Sequence, residues 1–152
     1  MNLKEKYGEN YQIIGALREY VEEGVILSDF NFWRESIQGS KEFDVIKNRD
    51  EFILNDQPYA SDPFVIAFIK EDFPTLTEDI PGDIVDVSMN IISEIEGKAS
   101  TENLKVFLAD YALEIAKSSK ESWSAYFSGD GNVSDAEQDF ITKLNGLLHI
   151  AQ

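Results

Sequence analysis

The chain reads as an all-α protein, a single compact bundle of about seven helices that takes in residues 1–152 as one helical domain. Three observations predict this. Apolar residues recur three and four apart along most of the chain, the period of a helix with one buried face. Short turns rich in Gly, Pro, Ser and Asp separate those runs. No stretch shows the strict alternation of a half-buried strand. A length of 152 residues, with 43% hydrophobic and 12% aromatic content, is enough to bury one core.

Each element has its own local reason. From Tyr11 to Glu23, the residues Ile13, Ile14, Leu17, Tyr20 and Val21 fall on one helical face, and Gly24 is the expected stop. Val25-Ile26-Leu27 is then a short buried connector. Ser28 caps a second helix, with Asp29 in its first turn, Phe30, Trp33 and Ile37 on one face, and Gly39 at its end. Ser40 caps a third, carrying Phe43, Ile46 and Ile53 to about Leu54.

Residues 55–59 are loop. Asp62-Pro63 opens the next helix, because Asp caps and Pro suits the first helical position. The apolar run Phe64 to Ile69 also fits a buried strand, but the Asp-Pro start favours a helix, closed by Phe73-Pro74. Thr77 or Asp83 opens a helix with Ile84, Val87, Ile91 and Ile95 as its buried face and Gly97 as its stop. Ser100 or Thr101 caps the most regular helix, with Leu104, Phe107, Leu108, Tyr111, Ala112 and Ile115 inside, running on through Trp123. A last helix carries Phe140, Ile141, Leu144, Leu147 and Leu148, with His149 near its end.

The formal net charge is −16, from 29 acidic and 13 basic residues. Such a field repels nucleic-acid phosphates and anionic membrane surfaces, and favours a basic protein partner or a divalent cation. The absence of cysteine excludes disulfides, thiol nucleophiles and thiolate zinc sites. The first residues, Met1 to Gly8, lack the apolar core of a signal peptide, and no apolar run approaches the roughly 18 residues of a membrane span. A cytoplasmic setting is the expectation.

The stretch Asp130 to Glu137 carries the chemistry. Asp130-Gly131 signals a turn, and Ser134 with Glu137 has the spacing of a capping box. The same residues also resemble the second half of an EF-hand calcium loop: Asp130, Gly131 and Glu137 fill its last three landmarks, Val133 the buried aliphatic position, and Ser134 the position that often binds through water. The first half departs from that pattern, with Tyr126 and Ser128 where carboxylates belong. Plain turn and weakly held divalent cation, such as calcium, are both open readings. Earlier in the chain, Glu23-Gly24-Val25-Ile26 before Ser28-Asp29 repeats the acidic-Gly, aliphatic, Ser-Asp order.

On these residues the chain resembles the TerB-like domains named for tellurite resistance. The best match is the stretch 104–148, with Asp130-Gly131, Val133, Ser134 and Glu137; the first unit matches less well, having Glu23 in place of Asp and Phe32 where the family pattern has an acid. The resemblance implies a helical fold of seven or eight helices, a cytoplasmic setting and acidic residues that bind metal. It implies no enzymatic activity. Asp130, Ser134, Glu137 and Glu23 are therefore the candidate metal ligands.

Other groupings have plainer explanations. Asp79, Asp83, Asp86 and Asn90 make the solvated face of an amphipathic helix, though metal or a basic partner would also suit them. Asp110 and Glu114 sit one turn apart, but a di-metal carboxylate bundle needs Glu-x-x-His partners and the chain has a single His. Trp123, Tyr126 and Phe127 share one face before the turn and suit either a core or a partner-binding surface. The chain has no phosphate loop, Gly-x-Ser-x-Gly or His-Glu-x-x-His motif, so a catalytic role is not expected. The leading expectation is a small acidic cytoplasmic module that binds a protein partner. The alternatives are an inhibitor, immunity protein or DNA mimic that neutralises a basic partner, and a structural subunit that buries Trp123, Tyr126 and Phe127 in an oligomer.

Overall fold

A computed structural model describes residues 2–29, 48, 57–74, 79–118 and 135–149. These hold α-helices and short 3-10 turns, with no strand among the described residues. The helices are α1 (Leu3–Tyr7), α2 (Tyr11–Asp29), α3 (Pro63–Lys70), α4 (Ile84–Glu96), α5 (Lys98–Ser118) and α6 (Asp135–Leu147). Five of the six are eight residues or longer, fewer than the seven expected. The expected second helix beyond residue 29, with Phe30, Trp33, Ile37 and Gly39, the expected third helix at 40–54 apart from residue 48, and the stretch 119–134 lie outside the described residues.

The N-terminal helix α1 has no counterpart in the periodicity reading. It is short, opened by Asn2, whose side chain accepts from the Glu5 amide at 3.2 Å, and closed by Gly8 at φ +54°. Leu3 and Tyr7 are its buried residues.

The largest correction concerns α2. It does not stop at Gly24 but runs unbroken to Asp29, so the expected connector at Val25 to Leu27 and the cap at Ser28 are not formed. The physical reason is packing. Ile14, Leu17, Val21 and Val25 make one buried stripe that continues past the glycine. Gly24 lies against the Phe140 ring of α6. A glycine inside a helix costs about 1 kcal/mol relative to alanine, a cost that burial on both sides outweighs.

The start of α3 is as expected. The Asp62 carboxylate accepts from the amides of Phe64 at 3.0 Å and Val65 at 3.4 Å, with Pro63 at the first helical position. The other carboxylate oxygen of Asp62 accepts from the Asn103 amide at 2.9 Å, which ties this cap to α5. The helix closes at Lys70, ahead of Phe73-Pro74.

On α4, Gly97 is the stop, at φ +98°, as expected. Of the expected buried face, Ile84 is buried and Ile91 partly so, but the face as a whole is turned. Ile84, Val85, Ser88, Met89 and Ile92 point inward, while Val87 and Ile95 are each 37% exposed. The helix is apolar over more than half its girth, so periodicity alone does not choose its inner face. Contact with α2 does: Ser88 Oγ donates to the Ile13 carbonyl at 3.3 Å, seating the Ser88 side against that helix.

Helix α5 begins at Lys98, and Thr101 does not cap it; its hydroxyl donates back to the Gly97 carbonyl at 2.8 Å. Its expected inner stripe, Leu104 to Ile115, is fully buried. On α6, Ile141, Leu144 and Leu148 are buried and Phe140 and Leu147 partly so, also as expected. The two long helices form the centre: α2 packs on α4, α5 and α6, and α5 packs on α3, α4 and α6. Tyr59, in the 3-10 turn Pro58–Ser61, fills the remaining side of α5 with its ring edge-on to Phe107 at 5.4 Å. All of these residues join one apolar cluster.

Candidate functional site

The buried stripe of α2 contains one charged residue. Arg18 occupies the position between Leu17 and Val21 that an aliphatic side chain would normally fill, and is only 5% exposed. A guanidinium removed from water needs partners, and the fold supplies them from three elements. Its Nη1 donates to the carbonyls of Phe68 at 2.8 Å and Ile69 at 3.3 Å, in the last turn of α3. Carbonyls in the last turn of a helix carry the negative end of its dipole, which suits a guanidinium. Its Nε lies 3.9 Å from the Glu22 carboxylate, one turn along α2. Its guanidinium carbon sits 4.8 Å from the centre of the Phe73 ring. Glu22 in turn accepts from the Tyr111 hydroxyl of α5 at 2.5 Å.

Around this arginine lies a cleft of about 200 Å³ lined by Gly15, Arg18, Glu19, Glu22, Asp72, Phe73 and Pro74. Gly15 is required by its floor, because an added Cβ there would come within 2.8 Å of the Phe73 ring. The Phe73 ring also packs at a tilt on Tyr11, one turn before Gly15, with ring centres 5.0 Å apart. Burial raises the Tyr11 hydroxyl above its ordinary pKa, and the charge and hydrogen bond of Glu71 and the charge of Asp72 add to this, against a smaller opposing effect of Arg18. The phenol therefore stays neutral and can donate to the carboxylates beside it. Three carboxylates, Glu19, Glu22 and Asp72, line the cleft with one arginine whose charge is engaged by α3 and Glu22, so the cleft presents a negative field to an approaching group.

Of the residues proposed from sequence, Glu23 is in the middle of α2, partly buried and not in a turn. Glu137 is in the first turn of α6. Their helices pack together, with Gly24 meeting Phe140 one residue from Glu23 and three from Glu137. Asp130 and Ser134 lie outside the described residues, as do Trp123, Tyr126 and Phe127. Among the described residues no group of three or more acidic or histidine side chains is arranged to hold a metal ion. Asp79, Asp83, Asp86 and Asn90 are all exposed, but they do not share one helical face as expected: Asp86 and Asn90 lie on α4, Asp83 is its N-cap and Asp79 precedes it in the loop. Asp110 accepts from the Tyr59 hydroxyl at 3.2 Å, and Glu114 is exposed.

Helical periodicity does not single out Arg18, Glu22 or Asp72, and it places Phe73 only at the close of α3. A signal for the first two was available: Arg18 stands four residues after Ile14 and three before Val21, inside the apolar stripe, with a carboxylate one turn on. Asp72 and Phe73 carried no such signal, since only the way the chain leaves α3 brings them to α2.

No family model matches the chain, and no curated protein or solved structure matches it. Among the described residues no helix is long and apolar enough to cross a membrane.

Proposed function

We propose that the protein is a small acidic binding module for a basic protein partner, in keeping with its resemblance to TerB-like domains. The observation that carries this reading is the Arg18 cleft, where Glu19, Glu22 and Asp72 line an opening whose single arginine is held by α3 carbonyls. The net charge of −16 acts in the same direction, drawing a cationic surface toward the cleft from a distance. A divalent cation such as calcium, held by Asp130, Ser134 and Glu137, is a second part of the proposal. It follows from the EF-hand-like half loop in the sequence.

The test uses a lysine-rich peptide as probe, with binding followed by fluorescence anisotropy as salt is raised. Glu19→Lys with Asp72→Lys is compared with Glu5→Lys with Asp139→Lys, which makes the same change in charge at two exposed positions that do not line the cleft. Glu22 is kept, since it holds Tyr111. The cleft reversal is expected to weaken binding about tenfold relative to the control reversal, a difference of roughly 1.4 kcal/mol. Equal binding by the two variants would remove the cleft from the reading.

A further inference from the structure

Helix α4 has two apolar stripes; the core takes one of them fully and, of the other, only Ile91 in part. Ile84, Val85, Met89 and Ile92 are buried. Val87, Ile91 and Ile95 stand four residues apart on the neighbouring side, with Ile91 partly buried. Val87 and Ile95 are the exposed large hydrophobic residues among those described, and both fall on this one stripe, about 12 Å apart along the helix. Isolated exposed aliphatics need no explanation, but a row of them at helical spacing marks a surface that another element can cover.

The border of the stripe gives the chemistry of that element. Asp83, Asp86, Asn90 and Glu94 are all exposed and run along the side of α4 away from the core, one position before or four before the apolar residues. An apolar ridge with a carboxylate row along one edge is complementary to a helix with an apolar face flanked by lysine or arginine.

We propose that the Val87–Ile91–Ile95 stripe with its Asp83, Asp86 and Glu94 border is the docking surface for a basic amphipathic helix on a partner protein. The proposal rests on the reading that the partner is basic and goes beyond it by assigning the partner's fold element and where it lies. The apolar contact fixes register and the acidic border fixes orientation, so binding does not depend on charge alone.

Three peptides of about 15 residues test it, a length at which a helix becomes stable enough to form on a surface. One has leucines at helical spacing among lysines, one has the same composition in shuffled order, and one has lysine without leucine. The amphipathic peptide is expected to bind most tightly, to shift backbone amide signals along α4, and to retain part of its affinity at high salt. Val87→Gln with Ile95→Gln, both on the surface, is expected to keep the wild-type circular dichroism and melting temperature while weakening that binding about tenfold. Equal binding of amphipathic and shuffled peptides, undiminished binding by the variant, or shifts confined to other helices would overturn the proposal while leaving the acidic-module reading in place. Failure of all three peptides to bind at low salt would overturn both. Self-association of the wild-type chain in sedimentation, lost in the variant, would give the surface to a second copy and also overturn it.

Discussion

Phe140 of α6 lies so close to Gly24 of α2 that a Cβ at residue 24 would overlap its ring. The same ring meets Tyr20, one turn earlier on α2, at 5.7 Å. This contact is where the last helix is locked to the central one, and it explains why a glycine sits mid-helix.

Gly24→Ala is therefore expected to destabilise the fold. Helix propensity favours alanine by about 1 kcal/mol, but forcing a methyl into a filled contact between two helices costs about 1–3 kcal/mol. A net loss of up to about 2 kcal/mol should appear as a lower urea midpoint, and Gly24→Ala with Phe140→Leu should recover part of it. A Gly24→Ala protein more stable than wild type would disprove the contact.

Arg18→Met should cost more. It removes two hydrogen bonds to the α3 terminus and leaves Glu22 without its cationic neighbour. The loss is expected to be about 2–4 kcal/mol. Arg18→Lys should recover less than half, since an ammonium cannot span two carbonyls and a carboxylate while stacked on Phe73. Chemical denaturation of the three proteins decides this.

Asp62→Ala removes the cap of α3 and the bond to Asn103 together. About 1–2 kcal/mol is expected. Asp62→Asn should retain most of the stability, because an amide oxygen can still accept from the Phe64 amide. If Asp62→Ala melts like wild type, the cap carries no stability.

Tyr7 predicts the alkaline behaviour. Burial raises its hydroxyl well above the ordinary value of 10.0, and the hydrogen bond to Glu96, with that residue's charge, raises it further. A pKa raised by folding means that the unfolded chain loses its proton first, so the contribution is complete below pH 10 and declines as the pH climbs above that. Wild type is expected to lose stability steadily above pH 10, and Tyr7→Phe to show a shallower decline. Identical slopes would show that Tyr7 does not couple to folding.

Calcium addition is expected to raise the melting temperature of the wild type by a few degrees at millimolar concentration, in line with a site of few charged ligands. Asp130→Ala with Glu137→Ala should abolish the shift. A shift that survives those substitutions, or none at all in the wild type, would remove the metal from the proposed function.

The sequence alone determined the helical class, the Asp62-Pro63 start, the stop at Gly97 and the inner stripes of α5 and α6, because each is written in local spacing or in a residue that fits only one backbone position. Tertiary structure decided what the local pattern left degenerate. Gly24 reads as a stop until the Phe140 ring is set against it, and α4 offers two apolar stripes until Ser88 is seated on α2. Arg18 looks like a surface residue until the end of α3, 50 and 51 residues away along the chain, is brought to it. Side-chain period says which residues share a face; only the neighbour that arrives determines which face becomes the inside, and which charge is drawn in with it.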